Sequence, residues 1–252
     1  MLRITLAAAW SRKRRLVGTA LAIVLGVAFL AATIVVGDSA RAGFAVAFDE
    51  ANAGIDAVVQ SERELTAAED GGRIPIDASL LDAIAAHDDV AAVAPIVEGM
   101  AQLLDREGST IGGNGPPTVA ASWIDDPSLT GWDLRDGRSP GAPGEVVVDA
   151  ASAADAGVSV GDTLTVLVPR PIEVTVVGIA GFGDDDSIGG TTFVGFTLVE
   201  AQALLLGGED RVTGVAVAAV DDVSEEALVA SLRPVLPAGV EAITGTELTE
   251  RM

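Results

Sequence analysis

The sequence predicts an α+β extracytoplasmic domain following one N-terminal transmembrane helix, and three observations support this. Residues 16–36 read LVGTALAIVLGVAFLAATIVV, 21 uncharged and mostly apolar residues, and about 20 apolar residues carry an α-helix across roughly 30 Å of hydrocarbon. Beyond that span, β-branched runs alternate with capped helical segments, the pattern of mixed helix and sheet. No later segment approaches the length and apolarity of a second span, so this chain is expected to cross the membrane once.

The leader explains the orientation. Residues 1–15 hold Arg3, Arg12, Lys13, Arg14 and Arg15 and no acid, and Lys and Arg beside a span stay on the cytoplasmic side. Leu2, Leu6 and Trp10 recur at spacing four, which suits a short interfacial helix with Trp10 as its anchor. The span exceeds the apolar core of a cleaved signal, and Asp38-Ser39-Ala40 is a poor cleavage site, so it reads as a retained anchor. The expected divisions are a cytoplasmic leader at 1–15, a membrane helix at 16–36, a stalk at 37–56, an extracytoplasmic core domain at 57–244 and, at 245–252, a lead-in to a second membrane helix that this sequence lacks.

Each outer element follows from its residues. Ala40, Phe44, Ala47 and Phe48 mark a helical stalk, and residues 55–59 a first strand. Residues 77–87 are a capped amphipathic helix burying Leu80, Leu81 and Ile84, with His87 at its C-terminal end, a capping position. Residues 90–97, 101–104 and 118–123 read as strands. Residues 131–144 read as a loop punctuated by Gly137, Pro140, Gly141 and Pro143. Residues 145–148 form a strand, and 149–156 an Ala-rich helix stopped by Gly157. Residues 163–168 and 172–179 pair as a hairpin around Pro169, Arg170 and Pro171. Strands at 191–196, 212–220 and 240–244 alternate with helices at 198–206 and 224–236.

Charge removes whole classes of function. All 37 acidic residues lie beyond the span and face 10 arginines, a formal −27 outside against −22 for the chain. Such a surface repels phosphate backbones, so nucleic acid is not a partner. The acids read as a solvated coat, or more sharply as an electrostatic site for cationic ligands. Cysteine is absent and His87 is the only histidine, which excludes thiol chemistry and cysteine or His-rich metal sites. Asp184, Asp185 and Asp186 lack the alternating ligands of a calcium loop and read as a flexible solvated loop. The glycine-rich run at 112–115 lacks the strand-to-helix setting and basic residue of a phosphate loop. Lys13, the only lysine, sits on the cytoplasmic side, away from any outer serine. The chain is therefore read as no enzyme, with no catalytic, cofactor or metal residues.

Residues 145–165, EVVVDAASAADAGVSVGDTLT, resemble a signature of the MacB/FtsX family of ABC transporter permeases, with Glu145, Asp149, Gly157, Gly161 and Asp162 as its fixed points. Supporting matches are Leu80 and Leu81 with Val90 and Pro95, then Gly137 to Pro140, Val176 to Ile179, and Thr244 to Leu248. The leader and first span also look like the family's opening. The resemblance implies a MacB-like periplasmic core domain at the cell membrane, N-terminus cytoplasmic and bulk extracytoplasmic. Its expected partners are a separate cytoplasmic ABC ATPase that binds the ATP, the lipid bilayer, and a second permease in a homodimer or heterodimer. Family members continue into three further membrane helices, which this sequence lacks. Implied roles are export, lipoprotein, peptide or drug handling, or FtsX-like regulation of cell-wall hydrolases. A single-span binding or sensor module is the alternative.

Overall fold

The structure, a computed structural model, describes residues 17–19, 21, 23–35, 54–63, 73–112, 118–188, 190–208 and 210–251. Trp10, Arg12, Lys13, Arg14, Arg15, the Leu2/Leu6 stripe and most of the expected stalk lie outside the described residues, as does most of the 112–115 run.

Helix α1 (Val17–Val35) is 19 residues long with a mean hydropathy of 2.4, and its described side chains are exposed along its length. Its Thr33 hydroxyl donates to the Phe29 carbonyl at 2.9 Å. That internal bond lets a polar side chain sit in a helix meant for hydrocarbon.

The outer region is organised around a four-stranded sheet. Its strands are β1 (Ala57–Ser61), β3 (Val90–Ile96), β12 (Gly214–Ala219) and β13 (Val240–Thr244), ordered β13-β1-β12-β3. Every neighbouring pair is antiparallel, so β1 runs parallel to β3 and β12 parallel to β13. Helix α2 (Leu80–Ala85) links the first parallel pair, and α5 (Glu225–Leu232) the second. The result is a split β-α-β frame. Alternation sorts the strands: Ala57, Val59, Val215 and Val217 join Ile84, Leu228 and Leu232 in the main core. Val58, Ala94, Ala216 and Ile243 turn to a second, smaller core on the other face. Helix α6 (Gly245–Arg251) follows β13 and contributes Leu248 to that second core.

The frame has two distinct ends. At one, the chain comes in at Asp56 and leaves at Gly245, whose N–H donates to the Asp56 carbonyl at 3.0 Å. At the opposite end, Ile96 leads out of the frame and Thr213 leads back, with Thr213 N–H donating to the Ile96 carbonyl at 2.8 Å. Everything between them is an insertion.

That insertion is a closed barrel. It contains β4 (Glu98–Leu104), β5 (Thr118–Ser122), β7 (Glu145–Asp149), β8 (Thr163–Val168), β9 (Arg170–Phe182) and β10 (Phe193–Phe196). β9 closes it: residues 170–175 pair with β8, while residues 175–180 pair on the other edge with β7. The order β9-β7-β10-β5-β4-β8 then returns to β9, which removes the free edges of an open sheet. Leu103, Val146, Val148, Leu164, Val166, Val174, Val176, Val194 and Phe196 fill the interior and are continuous with the helix-covered face of the frame.

One expected loop is ordered as a strand. Residues 132–137 form β6 (Trp132–Gly137), paired antiparallel with the far half of β9 and bulged between Leu134 and Asp136. Two glycines of β9 admit this close pairing. A Cβ on Gly178 would lie 2.5 Å from the Arg138 carbonyl oxygen, and one on Gly181 would strike the Arg135 guanidinium. Trp132 then stacks on Phe193 at a centroid distance of 4.0 Å and meets Phe182 edge-on at 5.2 Å. Elsewhere α4 (Leu198–Ala201) passes into a π-turn at Gln202–Leu206, and a short ribbon pairs β2 (Ile76–Asp77) with β11 (Arg211–Val212).

Candidate functional site

The five signature residues lie along the β7–α3–β8 path, with α3 at Ala150–Ala156, and each fixes backbone. Glu145 is held by Arg138, whose Nη1 donates to Oε2 at 2.8 Å, and it accepts from the N–H groups of Gly141 and Ala142 at 2.8 and 3.1 Å. The Arg138 guanidinium first, and the Gly141 N–H next, lower its carboxyl from 4.5 to about 2. Asp149 is fully buried. Its Oδ2 accepts from Ser152 N–H at 2.9 Å, capping α3, and its Oδ1 accepts from Phe193 N–H at 2.7 Å, tying the helix start to β10. Gly157 ends α3 at φ 61°, where left-handed backbone favours glycine. Gly161, at φ 97°, donates to the Val176 carbonyl at 2.7 Å. Asp162 accepts from Ser159 N–H at 2.9 Å and pairs with Arg106 at 2.5 Å.

The Glu145 clamp gives a pH prediction. Its folded-state pKa lies below the unfolded one, so its contribution is complete above the unfolded value and is lost as pH falls towards about 2. Glu145→Gln is expected to remove this part of the acid slope. Urea midpoints compared between about pH 5 and 2 will show it, with the variant's profile flatter than the wild type's.

The acidic triplet is exposed and makes three kinds of contact. The Arg135 guanidinium pairs with the Asp186 carboxylate and donates to the Asp185 carbonyl at 2.6 Å. Phe182 and Asp185 also exchange backbone bonds, each at 2.9 Å. The triplet is solvent-exposed, as expected, and is held by that arginine, which the β6 bulge aims across Gly181. Among the described residues, no group of three or more His, Cys, Asp or Glu side chains is placed to hold a metal. His87 sits just past α2, its Nδ1 accepting from Asp89 N–H at 3.3 Å.

The contacts that join the frame to the barrel are the other notable feature of the region. The frame–barrel junction is locked by two hydroxyls. Ser122 Oγ accepts from Val97 N–H at 3.1 Å and donates to the Pro95 carbonyl at 3.2 Å. Thr213 Oγ1 donates to the Ile96 carbonyl at 2.9 Å and accepts from Glu98 N–H at 3.2 Å. Sequence reasoning missed both residues, since a Ser or Thr at a strand end carries no local signal of a junction. It also missed the segment from Trp123 to Gly131, where an isolated Leu129 within an acidic, proline-containing run was the available clue. That segment lies across the second core, with Leu129 only 1% exposed and a 3-10 turn at Pro127–Leu129 over β3 and β12.

A mixed α/β domain preceded by one helix long and apolar enough to cross a membrane is the class that this fold defines. The chain belongs to the family of MacB-like periplasmic core domains, whose family model matches residues 16–235. This is the extracytoplasmic domain of ABC transporter permeases, a family that works with a cytoplasmic ATPase. The periplasmic region of MacB from Actinobacillus actinomycetemcomitans superposes with a TM-score of 0.53 at 14% identity, over 79% of this chain and 94% of that one. The extracellular domain of YknZ, a noncanonic ABC-type transporter of Gram-positive bacteria, gives 0.49 at 14% identity, over 75% and 98%. Among curated proteins none matches the sequence. At 14% identity the MacB likeness speaks for the fold alone.

Proposed function

We propose that the chain is a permease subunit, or the N-terminal part of one, that turns ATP hydrolysis by a separate cytoplasmic ATPase into movement of its extracytoplasmic domain. The two-ended frame is the observation that carries this reading. The chain comes into the frame at Asp56 and leaves β13 for α6 at Gly245 at one end, and the barrel is inserted at the other. Movement delivered at one end passes through the main core, which runs from the frame into the barrel. Arg12 to Arg15 hold the N-terminus on the cytoplasmic side, where the ATPase works, and the barrel handles an exported peptide, lipoprotein or drug. ATP is bound by the ATPase, and a second permease completes the pair.

Recovery of the tagged full chain from its native membranes, cross-linked with ATP present, tests this. An ABC ATPase identified by its Walker motifs is the expected companion. Recovery of the chain without any ATPase, under conditions that retain other permease–ATPase pairs, would overturn the proposal in favour of a single-span binding or sensor module.

A further inference from the structure

The segment from Trp123 to Gly131 joins three places that the strand order keeps apart. At its middle, Ser128 touches the point where the chain comes into the frame: a Cβ built on Gly54 would lie 2.0 Å from the Ser128 carbonyl oxygen. At its C-terminal end it runs straight into β6, with Trp132 N–H donating to Thr130 Oγ1 at 3.2 Å and Gly183 N–H to the Gly131 carbonyl at 3.2 Å. At its N-terminal end, Trp123 Nε1 donates to Ser139 Oγ at 3.1 Å, just beyond the other end of β6, and Ser139 in turn bonds Asp125. Both ends of β6 are therefore held by one segment, and that segment abuts Gly54.

β6 is the strand best suited to move. It is paired only with β9, lies outside the closed ring, carries a bulge, and is exposed from Asp133 to Gly137. Elements with few buried contacts open at lower free energy than core strands. Leu129, buried in the second core, gives the segment a fulcrum on the frame.

We propose that residues 123–131 are a strap that carries displacement of the incoming chain at Gly54 directly to β6, shifting that strand against the barrel without unpairing the frame. The source of the displacement rests on the permease reading given above. The strap makes β6, with its half-exposed Leu134, the responsive surface of the barrel.

Hydrogen exchange of the full chain in lipid nanodiscs tests the strap without any ATPase. Gly54 lies outside the left-handed region, so the strain of Gly54→Ala falls on the contact with Ser128, where a Cβ 2.0 Å from the carbonyl oxygen forces the backbone of the strap or of the incoming chain to shift. The substitution is expected to speed exchange at Leu129 and across β6 by roughly tenfold, with β8 and β13 unchanged. A Gly54→Cys/Ser128→Cys pair tests the opposite direction in a chain that has no other cysteine. A Cβ at position 54 would meet Ser128 Cα at 3.2 Å and its carbonyl oxygen at 2.0 Å, so the bridge forms with a local shift of the strap, and the reduced pair, which carries the same Cβ, is the reference. Oxidation is expected to slow β6 exchange, and reduction to restore it. Unaltered β6 exchange in the oxidised pair, or β6 and β13 changing together in either variant, would overturn the strap. Failure to recover an ATPase overturns the permease reading and leaves this readout intact, and the converse also holds.

Discussion

Asp149→Ala is expected to lower the unfolding free energy by about 3–4 kcal/mol, since it removes a charged helix cap and leaves two buried N–H groups unpaired. The carboxylate is fully buried and accepts from Ser152 and Phe193 at 2.9 and 2.7 Å. Asp149→Asn keeps one acceptor oxygen and is expected to lose about half as much. Urea unfolding followed by circular dichroism measures this as a lower midpoint at an unchanged slope. Loss below about 1 kcal/mol for the alanine variant would mean that water replaces the carboxylate.

The two variants also differ in pH dependence. Burial raises the Asp149 carboxyl above its ordinary value, and the hydrogen bonds from Ser152 and Phe193 oppose this. With the folded value above the unfolded one, stability from this group is present at low pH and is lost as pH rises through the folded value. Asp149→Asn lacks that slope. Glu145 behaves in the opposite sense, so the two acids of one signature pull the stability profile in opposite directions.

Phe196→Ala is expected to cost about 3–5 kcal/mol and to weaken the barrel as a unit. Phe196 heads the fully buried side chains by volume and stands in the main core, next to the carbonyl that accepts from Trp123 N–H at 2.8 Å. Its removal leaves a cavity in a closed ring, which cannot collapse by letting an edge strand swing in. Thermal unfolding followed by Trp fluorescence will read it, and Phe196→Leu should recover most of the loss. A loss confined to frame amides in hydrogen exchange would contradict the continuity of the main core between frame and barrel.

How much of this was legible depends on where each element's information resides. The β7–α3–β8 path could be read locally because Asp149 caps, Gly157 stops and Gly161 turns, all within the segment itself. The hairpin of β8 and β9 was equally plain from its β-branched runs. β6 could not be read, because WDLRDG carries two acids between glycines and becomes a strand only by pairing with β9. Closure of the barrel was also hidden. It requires β9 to serve β8 with one half and β7 with the other, and no local pattern records two partners for one strand. The frame's strands were individually visible, but their order depends on residues more than a hundred positions apart. Of the site, the signature positions were found by resemblance, whereas Gly54, Ser122, Leu129 and Thr213 act through contacts with distant backbone.

The two hydrogen bonds from Thr213 to the Ile96 carbonyl, where the chain leaves the frame and returns to it, have a bearing on descent. Two chain ends held that close make the barrel a cassette in the evolutionary sense. It can be lengthened, trimmed or exchanged for another ring without altering a single register in the four strands that carry it. A lineage can thereby change the surface of the ring while inheriting the frame unchanged.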